Sequence, residues 1–145
     1  PEKRKEITSE GGLNLNYKKN FLKKIINNLK ENGSRISLFI EPNIKDIKLS
    51  KQLGADCIEI HTGKICNLIN KKKRYFSEIN KIKKAVFYAN KIGLEVHAGH
   101  GLTYESAKII SKVKFISEFN IGHFLIGEAI FNGLSNTIKK FKRII

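Results

Sequence analysis

At 145 residues and 41% hydrophobic, the chain is long enough for one domain with a real core. No stretch of it is apolar enough to cross a bilayer or has the pattern of a secretory signal, and Cys57 and Cys66 form neither a CxxC pair nor a metal-ligand spacing, which fits two reduced thiols and a cytoplasmic location. The formal charge of +15 admits a nucleic-acid binder, but 24 of the 28 basic residues are lysines scattered through many segments, beside apolar residues at helical spacing, as on solvated helix faces.

In chain order, residues 1–15 read as a loop. Asn16 to Asn32 then carries Tyr17, Phe21, Leu22, Ile25, Ile26 and Leu29 on the stripe of an amphipathic helix, stopped by Gly33. Residues 35–42, RISLFIEP, read as a buried strand ended by Pro42. Asn43 is the expected N-cap of a helix through Ile44, Ile47 and Leu49, closed by Gly54. DCIEIHTG, 56–63, is a second strand, and the interval from Gly63 to Tyr75 leaves room for an extra helix or excursion. A helix over 75–92 is followed by the strand LEVHAG, 94–99, and a helix over 106–113. EFNIGHFLIG, 118–127, reads as a fourth strand, and 128–145 as one amphipathic helix.

Strands alternating with helices predict a parallel sheet with helices packed outside it. Two architectures accommodate that pattern: an open doubly wound sheet, or part of a (β/α)8 barrel. The opening PEKRKEITSEGG begins as though a strand has just ended, which favours the partial barrel.

Parallel α/β folds collect their functional groups at the carboxyl ends of strands. Those ends read FIEPN, EIHTG, VHAGHG and NIGHFLIG, and three of the four join histidine with glycine. In CIEIHTG a period of two sets Cys57, Glu59 and His61 on one face and Ile58 and Ile60 on the other. A mid-strand carboxylate such as Glu59 does not belong against packed helices, so it points to a cavity. Gly99, Gly101 and Gly122 let backbone N–H groups approach an anion, and a helix starting just after Gly122 and His123 aims its positive end at the same place. His100, in a loop between glycines, is the candidate acid/base. His123 is a candidate hydrogen-bond donor to phosphate, His97 a hydrogen-bonded interior residue, and His61 is left open. No pair of these histidines has the spacing of a local metal motif.

PEKRKEITSEGGLNL, GADCIEIHTG, AGHGLTYESAKII and FNIGHFLIGEAIFNGL, in this order, closely resemble the pyridoxine 5'-phosphate synthase family of vitamin B6 biosynthesis. The resemblance runs from Pro1 to about Leu134. It implies a (β/α)8 TIM barrel, of which residues 1–145 form roughly the C-terminal half: about four βα units plus an extra helix, with the N-terminal strands absent. It implies condensation of 1-deoxy-D-xylulose 5-phosphate with 3-amino-2-oxopropyl phosphate to pyridoxine 5'-phosphate, phosphate and water, without metal or organic cofactor. By the same resemblance His100 is the proton donor and Glu59 the stabiliser of charged intermediates. Gly101, Gly122 and His123 hold the aminoketone phosphate, and Thr8 binds the deoxyxylulose phosphate.

The family is a homo-oligomer, an octamer, acting on small phosphorylated molecules, with no nucleic acid and no membrane partner. Its proton acceptors, a histidine and a glutamate, belong to the part that would precede Pro1. The chain by itself is therefore expected to be inactive, and to associate through an open sheet edge and an exposed apolar surface. An inactive half-barrel remnant is the other expectation.

Overall fold

The computed structural model describes residues 11–17 and 19–145. In order, the elements are α1 (Lys19–Glu31), β1 (Ser37–Ile40), α2 (Ile44–Leu53), β2 (Cys57–His61), α3 (Gly63–Asn70), α4 (Phe76–Lys91), β3 (Glu95–Gly99), α5 (Tyr104–Ile110), β4 (Glu118–Asn120), α6 (His123–Asn132) and α7 (Leu134–Lys142). The strands form one parallel sheet in the order β1-β2-β3-β4. A doubly wound sheet reverses its strand order at a switch point. None occurs here, so right-handed crossovers leave the helices on one side of the sheet.

Burial agrees with that placement. Leu38, Ile40, Ile58, Ile60, Val96 and Ala98 alternate along the first three strands, lie 0–8% exposed, and share one core with Ile47 and Leu53 of α2 and Ile82, Val86 and Ala89 of α4. The opposite face carries Phe39, Cys57, Glu59, His61, Glu95, His97, Glu118 and Asn120, aligned across the strands by the register. The segment before α1 lies along β1: Leu13 N–H donates to the Phe39 carbonyl at 2.8 Å, and Leu15 is fully buried.

Local signals explain the element ends. The Asn43 side chain accepts from Asp46 N–H at the start of α2, and Gly54, at φ +96°, closes it. Thr103 and Ser106 form a reciprocal capping box on α5, whose start two residues before the expected Ser106 follows from that cap. The interval after β2 holds the expected extra helix, α3.

Two expectations fail in the last quarter of the chain. The fourth strand ends at Asn120, and the FLIG that was read as its continuation belongs to α6, which starts at His123. A continuous apolar run has no period to separate helix from strand, and α6 is apolar on nearly all sides, with Ile130 and Phe131 76% and 86% exposed. The single tail helix is two, broken at Gly133, whose φ of +77° an α-helix does not admit. Among the described residues no helix is long and apolar enough to cross a membrane.

Candidate active site

A cleft of about 760 Å³ opens at the carboxyl ends of the strands, its wall running from Phe39 and Glu59 through His100 and Gly101 to Asn120, Gly122 and His123. It brings together five of the six residues singled out in the sequence: Glu59, His100, Gly101, Gly122 and His123. The sixth, Thr8, lies outside the described residues.

Glu59 stands in the middle of β2, level with His97 of β3 and Phe39 of β1. Its Oε2 accepts from Asn120 Nδ2 of β4 at 2.8 Å. Burial pushes its carboxyl above the usual range. The Asn120 hydrogen bond and the neighbouring His97 and His100 act in the other direction, and Glu118 reinforces burial. Gly99 is where the carboxylate lies, because a Cβ there would fall 1.8 Å from Glu59 Oε1.

His100 and Gly101 follow β3 with φ of +76° and +75°. Consecutive left-handed residues swing the chain sharply away from the strand, a conformation that disfavours a side-chain residue such as histidine. The turn is anchored from behind. The Thr62 hydroxyl, fully buried, reaches the carbonyls of both Gly99 and His100 at 2.7 Å, and Thr62 N–H donates to Gly99 at 2.8 Å. Trans peptides set each N–H opposite the preceding carbonyl, so with those carbonyls turned to Thr62 the N–H groups of His100 and Gly101 face away from it.

The His100 ring joins an aromatic cluster, 5.0 Å from the His61 ring and 6.4 Å from Phe39 between centroids. Gly63, which opens α3, makes room for it. A Cβ there would come within 2.8 Å of both imidazoles. His61 Nδ1 lies 2.8 Å from Glu41 Oε1 at the end of β1. His61, left open by the sequence, thus stands beside the candidate acid without lining the same cleft. It lines a neighbouring cavity of about 570 Å³ whose wall also includes His100 and Gly101.

His97 is buried within β3, as expected of an interior histidine. Its Nε2 is 2.9 Å from Glu95 and its Nδ1 3.5 Å from Glu118. Cys66 lies under the turn with its Sγ 3.7 Å from the His100 carbonyl, and burial pushes its thiol up, which disfavours the thiolate a nucleophile needs. Gly122 is the N-cap of α6 and supplies no side-chain cap, and the start of that helix, with His123, lines the cleft. Among the described residues no three His, Cys, Asp or Glu side chains are grouped to hold a metal ion.

A carboxylate, an imidazole and glycine-bordered backbone N–H groups in one cleft suit acid/base work on a phosphorylated molecule. Residues 1–145 match the family model described as "Pyridoxal phosphate biosynthesis protein PdxJ". The chain belongs to the PdxJ family. It is similar to proteins named pyridoxine 5'-phosphate synthase. The one from Pelagibacter ubique (strain HTCC1062) is 56% identical over 99% of this chain and 60% of the relative. Those from Sulfurihydrogenibium sp. (strain YO3AOP1) and Syntrophotalea carbinolica (strain DSM 2380 / NBRC 103641 / GraBd1) are 48% and 45% identical over all of this chain, covering 59% and 60% of the relatives. The chain spans about three-fifths of the length of these relatives.

In this PdxJ family member the sequence reading missed Asn120, Thr62, Glu41 and Phe39. Phe39 and Glu41 lie in FIEPN, a strand end that was visible in the sequence but from which no role was drawn. Asn120 was concealed by the misread fourth strand, and Thr62 by a role that acts through backbone carbonyls on another strand.

Proposed function

We propose that the chain forms the proton-donor side of a pyridoxine 5'-phosphate synthase built on a (β/α)8 barrel, condensing 1-deoxy-D-xylulose 5-phosphate with 3-amino-2-oxopropyl phosphate. The observation that carries this reading is the single cleft lined by Glu59, His100, Gly101, Gly122 and His123. The unreversed strand order, with one face packed by helices and the other polar, supports the barrel.

In this reading the aminoketone phosphate sits at the N-terminus of α6, its oxygens taking N–H groups at Gly122 and His123, with the Gly101 N–H closing from the β3 side. His100, projecting from the strained turn, donates a proton to the oxygen that leaves as water. Glu59, on the cleft floor, offers a negative charge to the cationic nitrogen of the condensing intermediates. The bases that remove protons are contributed by residues outside 1–145, as in the family resemblance.

The test is formation of pyridoxine 5'-phosphate from the two substrates, followed by chromatography, using the protein expressed from its complete reading frame. We expect turnover that falls about a hundredfold or more in His100→Asn, the size usual for loss of a positioned acid. Absence of product from the unaltered protein, or full turnover by His100→Asn, overturns the reading.

A further inference from the structure

Glu59 is set by Gly99 and Asn120; the sequence gave Gly99 only a backbone approach to an anion, and gave Asn120 no role. Its carboxylate leans forward along the sheet into the position a side chain on Gly99 would occupy. A Cβ on Gly99 would fall 1.8 Å from Oε1 and 2.8 Å from Cδ of Glu59. Across the next strand Gly99 is level with Asn120, whose Nδ2 donates to Oε2 at 2.8 Å. One carboxylate oxygen therefore lies over a bare Cα and the other is fixed by an amide. We propose that Asn120 is a positioning residue for Glu59, and that residue 99 is glycine because the Glu59 carboxylate occupies the space of its side chain. This rests on the reading above, in which Glu59 meets the substrate's positive charge.

The choice of an amide has a physical logic. A lysine or arginine at 120 would hold the carboxylate more tightly but cancel the charge it must present. An asparagine donates a hydrogen bond without a charge and without titrating. The groups facing Glu59 are Phe39 from β1, His97 from β3, His100 from the turn after β3, and Glu118 and Asn120 from β4. Burial favours the protonated form, Glu118 adds to it, and the Asn120 hydrogen bond is the foremost influence on the other side. Without that donor, Glu59 would have two imidazoles to balance burial and would lose its fixed orientation.

The experiment is a carbon-13 NMR titration of the Glu59 carboxyl in protein expressed from its complete reading frame and labelled at glutamate, the signal assigned by its loss in Glu59→Gln. In Asn120→Ala the Glu59 midpoint is expected to rise by at least about half a pH unit. In Asn120→Asp, which is isosteric and replaces the donor with a second carboxylate, it rises further, because like charges at hydrogen-bond distance cannot both ionise easily.

Turnover should fall about tenfold in Asn120→Ala with KM within about twofold, the split expected when an interaction with the reacting charge is lost and binding is not. Gly99→Ala displaces the carboxylate, so adding Asn120→Ala to it should shift the midpoint no further. A midpoint within about 0.2 pH units of wild type in both Asn120 variants overturns the proposal, since a purely structural asparagine would leave Glu59's titration alone. If Glu59→Gln keeps full turnover while the Asn120 variants still move the midpoint, the catalytic reading of Glu59 falls and the positioning of its carboxylate stands.

Discussion

The two faces of the sheet are built from the same strands, one residue out of phase, and they answer to different demands. On one face Leu38, Ile40, Ile58, Ile60, Val96 and Ala98 are buried under helices. On the other, Asn120 donates to Glu59, and His97 lies within hydrogen-bond or ion-pair reach of Glu95 and Glu118. The first face buries surface and asks nothing of its side chains beyond shape. The second places a carboxylate where burial opposes its charge. Stability and chemistry are thus separated by the period of two, with neighbours such as Glu59 and Ile60 serving opposite ends.

The sharpest way to break that comparison is to alter those two neighbours. Ile60 is fully buried, at the middle of the helix-packed face, level with Ile40 and Ala98. Ile60→Ala should cost about 2–5 kcal/mol of stability, the range for truncating a buried aliphatic side chain in a core that only partly collapses. Urea unfolding followed by circular dichroism measures it. A loss below about 1 kcal/mol would mean that the helix layer is loosely packed on the sheet, and the division between faces would fail.

Glu59→Gln is the opposite case. The folded-state carboxyl titrates above its ordinary value because of burial, so the folded protein binds the proton more readily than the unfolded chain. Glu59's contribution to stability is therefore fully present below the unfolded value, about 4.3, and is lost as pH rises through the raised folded value. Glutamine removes that loss while leaving an oxygen for Asn120 to donate to. The variant should melt higher than wild type at pH 7, with the difference fading towards pH 4. A lower melting temperature at pH 7 would show that Glu59 is a structural ion-pair partner and not a charge held against burial.

How much of this was legible in the sequence follows the same division. Ile58 and Ile60 alternating with Cys57, Glu59 and His61 announced both the strand and its two faces, because the period of two is a local property. The glycine and histidine pairs at the strand ends were legible for the same reason, since parallel strands deliver their ends to one rim. What was not legible depends on neighbours distant in sequence. Nothing local says that Gly99 is level with Asn120, or that the Thr62 hydroxyl reaches the carbonyls of residues 99 and 100. The start of α6 was misread because FLIG is apolar throughout, so three-dimensional packing, not period, decides its conformation.

The smallest effect concerns an exposed clamp that ties the helix layer to the strand starts. Asp56 accepts from Ile36 N–H at 2.9 Å and from Lys30 Nζ at 2.7 Å, while Asp56 N–H donates back to the Ile36 carbonyl at 3.0 Å. The Lys30 ammonium, and next the Ile36 N–H, hold its carboxyl below the usual range. A lowered folded value means that the stability is present above the unfolded value of about 3.9 and is lost as pH falls through the folded one. Asp56→Ala should therefore cost about 1 kcal/mol near neutral pH, typical of a net hydrogen bond with one charged partner near the surface. Because part of that attraction is a solvated ion pair, high salt should shrink the cost without removing it, leaving the share that belongs to the Ile36 N–H. Parallel urea titrations of the variant and wild type at pH 7 and pH 3 measure this. The gap should narrow at pH 3, below the unfolded value, where protonation of the unfolded chain offsets part of the advantage of the folded carboxylate, and an unchanged gap would assign the effect to backbone geometry at the start of β2 instead of to the carboxylate.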